Sequence, residues 1–273
     1  MNTPTAHVAS FIAEATVSPS TRDAARKAFV DTVGVMLAGA RSEVAAPFAQ
    51  YVERHRAASG AGVLGTPWRA APEIAAMING AFGHALDFDD GIVSAPVHPS
   101  SVVIGALLSA APALDGCAML DAYVIGVEVA VKLATAIGID HYHHGWHGTG
   151  TLGVFGAVAA LARAHRLDPL VTRTAFGLAA SMTSGIQRNF GTMTKPLHTG
   201  WAARNGVVAV ELASAGYTAA TDVLEAESGF FAVYGNEGSR PEVLGTLGDP
   251  WARGADAPRA AGPASGNPRG GGA

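Results

Sequence analysis

Three short stretches of this chain hold most of the groups able to move a proton or grip an anion. The first is His84 to Ser101, HALDFDDGIVSAPVHPSS, in which Asp87, Asp89, Asp90 and His98 crowd a loop between two apolar segments. Neighbouring carboxylates raise one another's pKa and a histidine titrates near neutrality, so the set can supply both an acid and a base. Taken singly, Asp87 and Asp89 read equally well as hydrogen-bond acceptors that orient the loop. The second stretch, HYHHGWHGTGT, carries His141, His143, His144, His147 and Thr149. A helix starting there would turn its first N–H groups and its dipole toward a carboxylate or phosphate, with His147 beside it. The other three histidines are expected in an exposed polar loop. His143 and His147 stand four apart, as a metal-binding pair would, but Gly145 and Gly148 break the helix that such a pair needs, and no metal is expected. The third stretch is Thr194-Lys195-Pro196-Leu197-His198. Lys195 is one of three lysines in the chain, and its place in a rigid turn with His198 three residues on suits it to hold a substrate carboxylate, a solvated loop lysine being the plainer alternative.

The elements that must position these groups read as helices. TRDAARKAFVDTVGVMLAGA places Ala25, Phe29, Val33, Met36 and Leu37 at helical spacing. A weaker helix is expected over Glu43 to Ala58, then a short extended piece near Val63-Leu64-Gly65. Pro72 opens the next helix as a first-turn proline, and that helix delivers His84 and Asp87 at its C-terminal end. His98-Pro99-Ser100-Ser101 reads as another helix start, with the serine hydroxyls available to the first N–H groups. Further helices are expected over Asp121 to Ile139, where Glu128 and Lys132 form an i,i+4 pair, after His147, from Asp168-Pro169, and from about Trp201. Abundant Ala and Gly in these segments suit close helix approach, and no run alternates long enough to claim a strand.

Composition narrows the function. Of 273 residues, 49% are hydrophobic and 15% charged, with a formal charge of −4, which is ample for a core and leaves no basic surface for nucleic acid. A single Cys117 argues against a disulfide framework or thiolate metal site. The N-terminus lacks the pattern of a secretory signal and no apolar run is long enough to span a membrane, so a cytoplasmic location is expected. Nucleotide-loop motifs and the GxSxG motif of serine hydrolases are absent. From Ala252 onward the sequence is rich in Gly, Pro and Ala, and a disordered tail is expected within residues 241–273.

The wording HALDFDD with VHPS, then GWHGTGTLGVFGA, SGIQRNFGTMTKPLHTGWAARNG and ESGFFAVYG, closely resembles the MmgE/PrpD family of 2-methylcitrate dehydratases and cis-aconitate decarboxylases. The likeness runs from Phe11 to about Gly235. It implies an all-α, multi-helical domain over residues 1–240, of the kind that in the family is accompanied by a smaller α+β lid, most of which is expected to be lacking here. It also implies a homodimer, no metal or organic cofactor, and a small di- or tricarboxylate as substrate. Carried onto matching positions, it implies His98 as the leading acid/base, Asp87 as its partner or orienter, and Lys195 with His147 as carboxylate clamps, with His198 second to them. Where the family commonly has DFDDTH, this chain has Asp89-Asp90-Gly91-Ile92, so a hydroxyl and an imidazole are missing from the pattern. Two functions follow as expectations: a cofactor-independent lyase acting by dehydration, decarboxylation or epimerisation, or a catalytically inactive helical remnant that only binds a carboxylate or dimerises. A metal-dependent, histidine-rich hydrolase ranks behind both.

Overall fold

A computed structural model describes residues 3–92 and 95–252. Its described residues form eleven α-helices: α1 (Pro4–Glu14), α2 (Pro19–Gly39), α3 (Ala45–Glu53), α4 (Pro72–His84), α5 (Pro99–Ala110), α6 (Gly116–Ile137), α7 (Asp140–His143), α8 (Gly148–His165), α9 (Pro169–Ser181), α10 (Thr194–Ser214) and α11 (Phe230–Tyr234). Five of them, α1, α2, α4, α5 and α9, begin with a proline in the first turn, where its missing N–H costs no hydrogen bond. Thr3, Ser18, Asp115 and Asp168 cap α1, α2, α6 and α9 with side-chain oxygens. The fold is the mostly helical one expected.

α8 runs through the middle, its residues buried almost all round from Gly148 to Ala162, as an internal helix should be. α5, α6, α9 and α10 pack on it, and α4 lies along α10. Glycine sets these distances. A Cβ on Gly200 of α10 would collide with the Met77 carbonyl of α4, and one on Gly126 of α6 would sit 2.7 Å from the Gly156 carbonyl of α8. Backbones therefore touch backbones at both seams, which explains the Ala and Gly content.

Two expectations need correction. The helix expected over Glu43 to Ala58 ends at Glu53, and the chain turns into β1 (Arg56–Gly62), which pairs antiparallel with β2 (Arg69–Ala70). The extended piece thus lies before Val63-Leu64-Gly65, and those residues make the turn, with Gly65 at φ 72°. Buried Asn79 of α4 pins this small hairpin, accepting from the Leu64 N–H and donating to the Gly62 carbonyl and to Ser109 Oγ of α5. β1 escapes a sequence-based search because RAASGAG has neither alternation nor β-branched residues.

Past residue 240 the chain stays packed through Ala252. Pro241–Thr246 forms a 3-10 helix against α6, and Glu128, expected only to pair with Lys132, also accepts from the Gly248 and Ala252 N–H groups at 2.9 and 2.6 Å. Trp251 packs against Phe11 of α1 with ring centres 5.6 Å apart. The remainder of the expected tail, 253–273, lies outside the described residues. Among the described residues no helix is long and apolar enough to cross a membrane.

Candidate active site

The three polar stretches meet at one end of the bundle, where the C-terminal end of α4 faces the N-terminal ends of α5, α8 and α10. Each helix end contributes a group: His84 closes α4, His98 is the N-cap of α5, His147 is the N-cap of α8, and Lys195 and His198 lie in the first turns of α10. The three N-terminal dipoles favour negative charge at this face. The ends are tied together. Thr149 Oγ1 in the first turn of α8 accepts from the His98 N–H at 3.0 Å. The His147 N–H donates to the Gly185 carbonyl, and Gln187 Nε2 donates to the Tyr142 and Trp146 carbonyls, which lays the approach to α10 against the start of α8.

Within the loop after α4 the three carboxylates divide their work. Asp87 adopts a left-handed backbone, φ 57°, and its Oδ1 accepts from Lys195 Nζ at 2.6 Å. Asp89 points inward with no exposed side-chain surface; His84 Nδ1 donates to it from 2.9 and 3.0 Å, and His98 Nδ1 stands 3.5 Å away. Asp90 caps α5, accepting from the Ser100 N–H and Oγ. Two expectations change here. The acid facing the His98 ring nitrogen is Asp89, and Asp87, expected as the partner of His98, contacts the lysine instead. The start of α5 is capped by a carboxylate from the preceding loop, because the Ser100 hydroxyl is itself bound by Asp90 and Tyr123.

The imidazoles form a continuous row. Ring centres of His84 and His98 are 4.7 Å apart, of His84 and His147 5.6 Å, and of His147 and His198 5.3 Å, with a 3.0 Å contact between Nδ1 of His147 and Nδ1 of His198. One of that last pair must donate and the other accept, which fits two neutral rings and opposes two charged ones. Phe190 covers His147 edge-on and lies under Lys195 Nζ at 5.4 Å. Buried His84 Nε2 and His98 Nδ1 find no hydrogen-bond partner among the described residues.

Environment divides these groups into those that favour charge and those that resist it. Burial works against ionised Asp87, but the Lys195 hydrogen bond and charge, helped by His84 and His98, hold its pKa below the usual carboxylate value. Burial is likewise outweighed at Asp89 by His84 and His98, and its carboxyl is held down further. His98 is opposed by burial yet raised by Asp89 and then Asp87. His147 is pushed down to about 2, by burial first and then by His84, His198, Lys195 and His98, and His198 is lowered by burial and His84. The arrangement offers a protonatable His98, a lysine ammonium and two imidazoles kept neutral.

Every expected site residue, Asp87, His98, His147, Lys195 and His198, lies in this cluster. Asp89, read from sequence as either part of the acid/base set or a hydrogen-bond acceptor within the loop, belongs to it as well, and so does His84, which sequence reasoning gives no role although it opens the HALDFDD run; only burial separates the inward acid from its neighbours. His141 corrects another expectation. It is buried, with Nε2 2.7 Å from Thr151 Oγ1 and Nδ1 donating to the Tyr234 carbonyl, whereas His143 and His144 are exposed. An added Cβ at Gly91 would sit 3.3 Å from His98 Cε1 and 3.5 Å from Nε2, so the position where the family pattern has a hydroxyl lies directly against the imidazole.

Among the described residues, His84, Asp87, Asp89 and His98 present atoms within 4.8 Å of one another, close enough to share a cation. The two carboxylates are already engaged: both Asp89 oxygens face His84 Nδ1, and a cation on Asp87 would meet the Lys195 ammonium, 2.6 Å from the same oxygen. Proton and anion handling suit the set better than metal binding. The face is open, with the Asp87 side chain 58% exposed; a cavity of about 360 Å³ lined by Gly145, Trp146 and Ile186 lies beside the start of α8, and one of about 410 Å³ lies at its far end.

The chain is 33% identical to human cis-aconitate decarboxylase over 230 residues, covering 81% of this chain and 47% of that protein. The mouse cis-aconitate decarboxylase is 32% identical over 81% of this chain and 46% of its own, and that of Aspergillus terreus 28% over 90% and 53%. The chain therefore spans about half the length of the curated relatives it matches. Residues 6–242 match the model of the MmgE/PrpD N-terminal domain, and the chain belongs to the MmgE/PrpD family.

Proposed function

We propose that this chain is the helical portion of a cofactor-independent lyase that acts on a small di- or tricarboxylate, by decarboxylation of the cis-aconitate type or dehydration of the 2-methylcitrate type. The observation that carries the reading is the meeting of Lys195, His98, Asp87 and His147, from three separate stretches, at a face where three helix N-termini converge. Lys195 holds a substrate carboxylate, exchanging its contact with Asp87 for one with the ligand. His147 and His198, kept neutral, add hydrogen bonds without repelling the lysine. When a carbon–carboxylate bond breaks, its electron pair passes to the substrate skeleton and CO₂ leaves; His98 delivers the proton that quenches the new carbanion. In a dehydration, one group takes the proton from carbon and another protonates the departing hydroxyl, and His98 is the group suited to the second step. The same reading has two copies of the protein pair as a homodimer in the cytoplasm, which sedimentation and fractionation test.

A second reading keeps binding and drops turnover, and it is favoured by the openness of the face, where the Asp87 side chain is 58% exposed. Purified protein offered cis-aconitate and 2-methylcitrate separates the two. Product formation that disappears in His98→Ala supports the lyase. Calorimetric binding abolished by Lys195→Ala, with no product from either acid, supports the carboxylate binder.

A further inference from the structure

The HALDFDD loop holds a buried pair that the proposed chemistry above does not use. Asp89 lies between two acids with other partners, Asp87 on Lys195 and Asp90 on Ser100, and its side chain is wholly enclosed. Against it lies His84, equally enclosed, in the last turn of α4. We propose that His84 and Asp89 are a positioning pair beneath His98, one carboxylate anchoring two imidazoles by their Nδ1 sides, so that Nε2 of His98 is the nitrogen that exchanges protons with a bound ligand.

The geometry leaves little choice of tautomer. An ionised carboxylate only accepts, so the 2.9 and 3.0 Å contacts require the proton on His84 Nδ1. The second imidazole, with Nδ1 at 3.5 Å from the same Oδ1, needs a shift of well under 1 Å to complete a hydrogen bond, an adjustment common when a ligand closes on such a site. Burying a carboxylate is costly unless donors surround it, and His84 alone is a thin shell. A proton on His98 Nδ1 supplies the second donor, which links the state of the exposed histidine to an acid that no ligand touches. The charged and titratable groups facing His98 are Asp87 and Asp89 in its own loop, His84 on α4, His147 on α8 and Lys195 on α10. Asp89 is the nearest carboxylate to its ring, and Asp87 is already engaged with the lysine.

The inference rests on the proposed function for its catalytic meaning, and it is tested without turnover. In protein labelled with ¹⁵N in histidine, long-range NMR correlations report each ring's tautomer and titration. In the unaltered chain, both His84 and His98 are expected to carry a proton on Nδ1; a bare Nδ1 on either overturns the pair. In Asp89→Asn the His98 midpoint should fall by about 1–3 units, the usual effect of an adjacent opposite charge. Asp89→Glu should restore part of the shift, and an unchanged midpoint in Asp89→Asn overturns the proposal. The tautomer measurement needs no variant, so it decides the matter even if Asp89→Asn folds poorly. If turnover is found, the pH profile of kcat/KM should move with the His98 midpoint. A correct tautomer and midpoint shift without turnover upholds the pair and refutes the lyase.

Discussion

The two ends of α8 make an instructive contrast. At its C-terminal end lies the larger cavity, about 410 Å³, lined by Ala13, Leu114, Arg163 and Arg166 among others. Several polar groups there are paired: Arg163 donates to the carbonyls of Ile12, Ala13 and Ala15 and so closes the end of α1, His165 donates to the Ala110 carbonyl, and Arg22 grips Asp121 with Nε and Nη2. The N-terminal end, one helix length or about 27 Å away, has a cavity beside it too, about 360 Å³ and lined by Gly145, Trp146, Ile186 and Tyr234 among others, but there, among the described residues, ring nitrogens stand without hydrogen-bond partners and imidazoles are pushed from their ordinary pKa values. Both ends are concave, and chemical tension separates them. Buried polar atoms are nearly always paired, so the end that leaves them unpaired is the one shaped for something else to bind.

The contrast breaks if groups at the N-terminal end prove silent. With turnover as the measure, His98→Gln should lower kcat by about 10²–10⁴-fold, the usual contribution of a general acid, while Arg163→Ala leaves kcat and carboxylate affinity unchanged. Stability should respond the other way. Arg163→Ala removes the donors that close α1 and is expected to cost about 1–3 kcal/mol in denaturant unfolding.

Acid titration sharpens the difference further. Folded His147, with its pKa pushed down to about 2, stays neutral, whereas in the unfolded chain it protonates below about 6.5. Stability should therefore decline as the pH drops from 6.5, by up to about 1.4 kcal/mol per pH unit, and His147→Gln should remove that part of the slope. His98 has the opposite sign: raised above its unfolded value, it contributes fully below about 6.5 and loses that contribution as the pH rises through its folded value. Thermal melts from pH 4 to 8 on His147→Gln and His98→Gln distinguish the two. The smallest expected effect belongs to His143 and His144, whose replacement by alanine should leave stability within about 0.5 kcal/mol and ligand binding untouched.

Much of this is legible in residue order alone. Prolines in first helical turns, caps such as Asp168 and the 3.6-residue rhythm mark the helices, and residue type with the family's motifs singles out five of the groups that meet at the site. What cannot be read that way is direction. Asp87, Asp89 and Asp90 are nearly adjacent in sequence and face a lysine, a histidine pair and a helix start, a division made by the left-handed backbone at Asp87 and the depth of the loop. His141 looks like His143 and His144 until Tyr234, 93 residues on, closes over it. β1 owes its pairing to β2 and Asn79 and has no local preference to announce it.

The contact of Gly200 with the Met77 carbonyl has a consequence for how such a pocket can diverge. Because main chain rests on main chain between α4 and α10, no layer of side chains can swell or shrink to alter the spacing of the two helices. The spacing of α4, which ends in His84, and α10, which begins beside Lys195, thus has a hard stop, as in a machinist's gauge. New acids would be accommodated by remodelling the rim, at places such as Gly91, while the jaws keep their width.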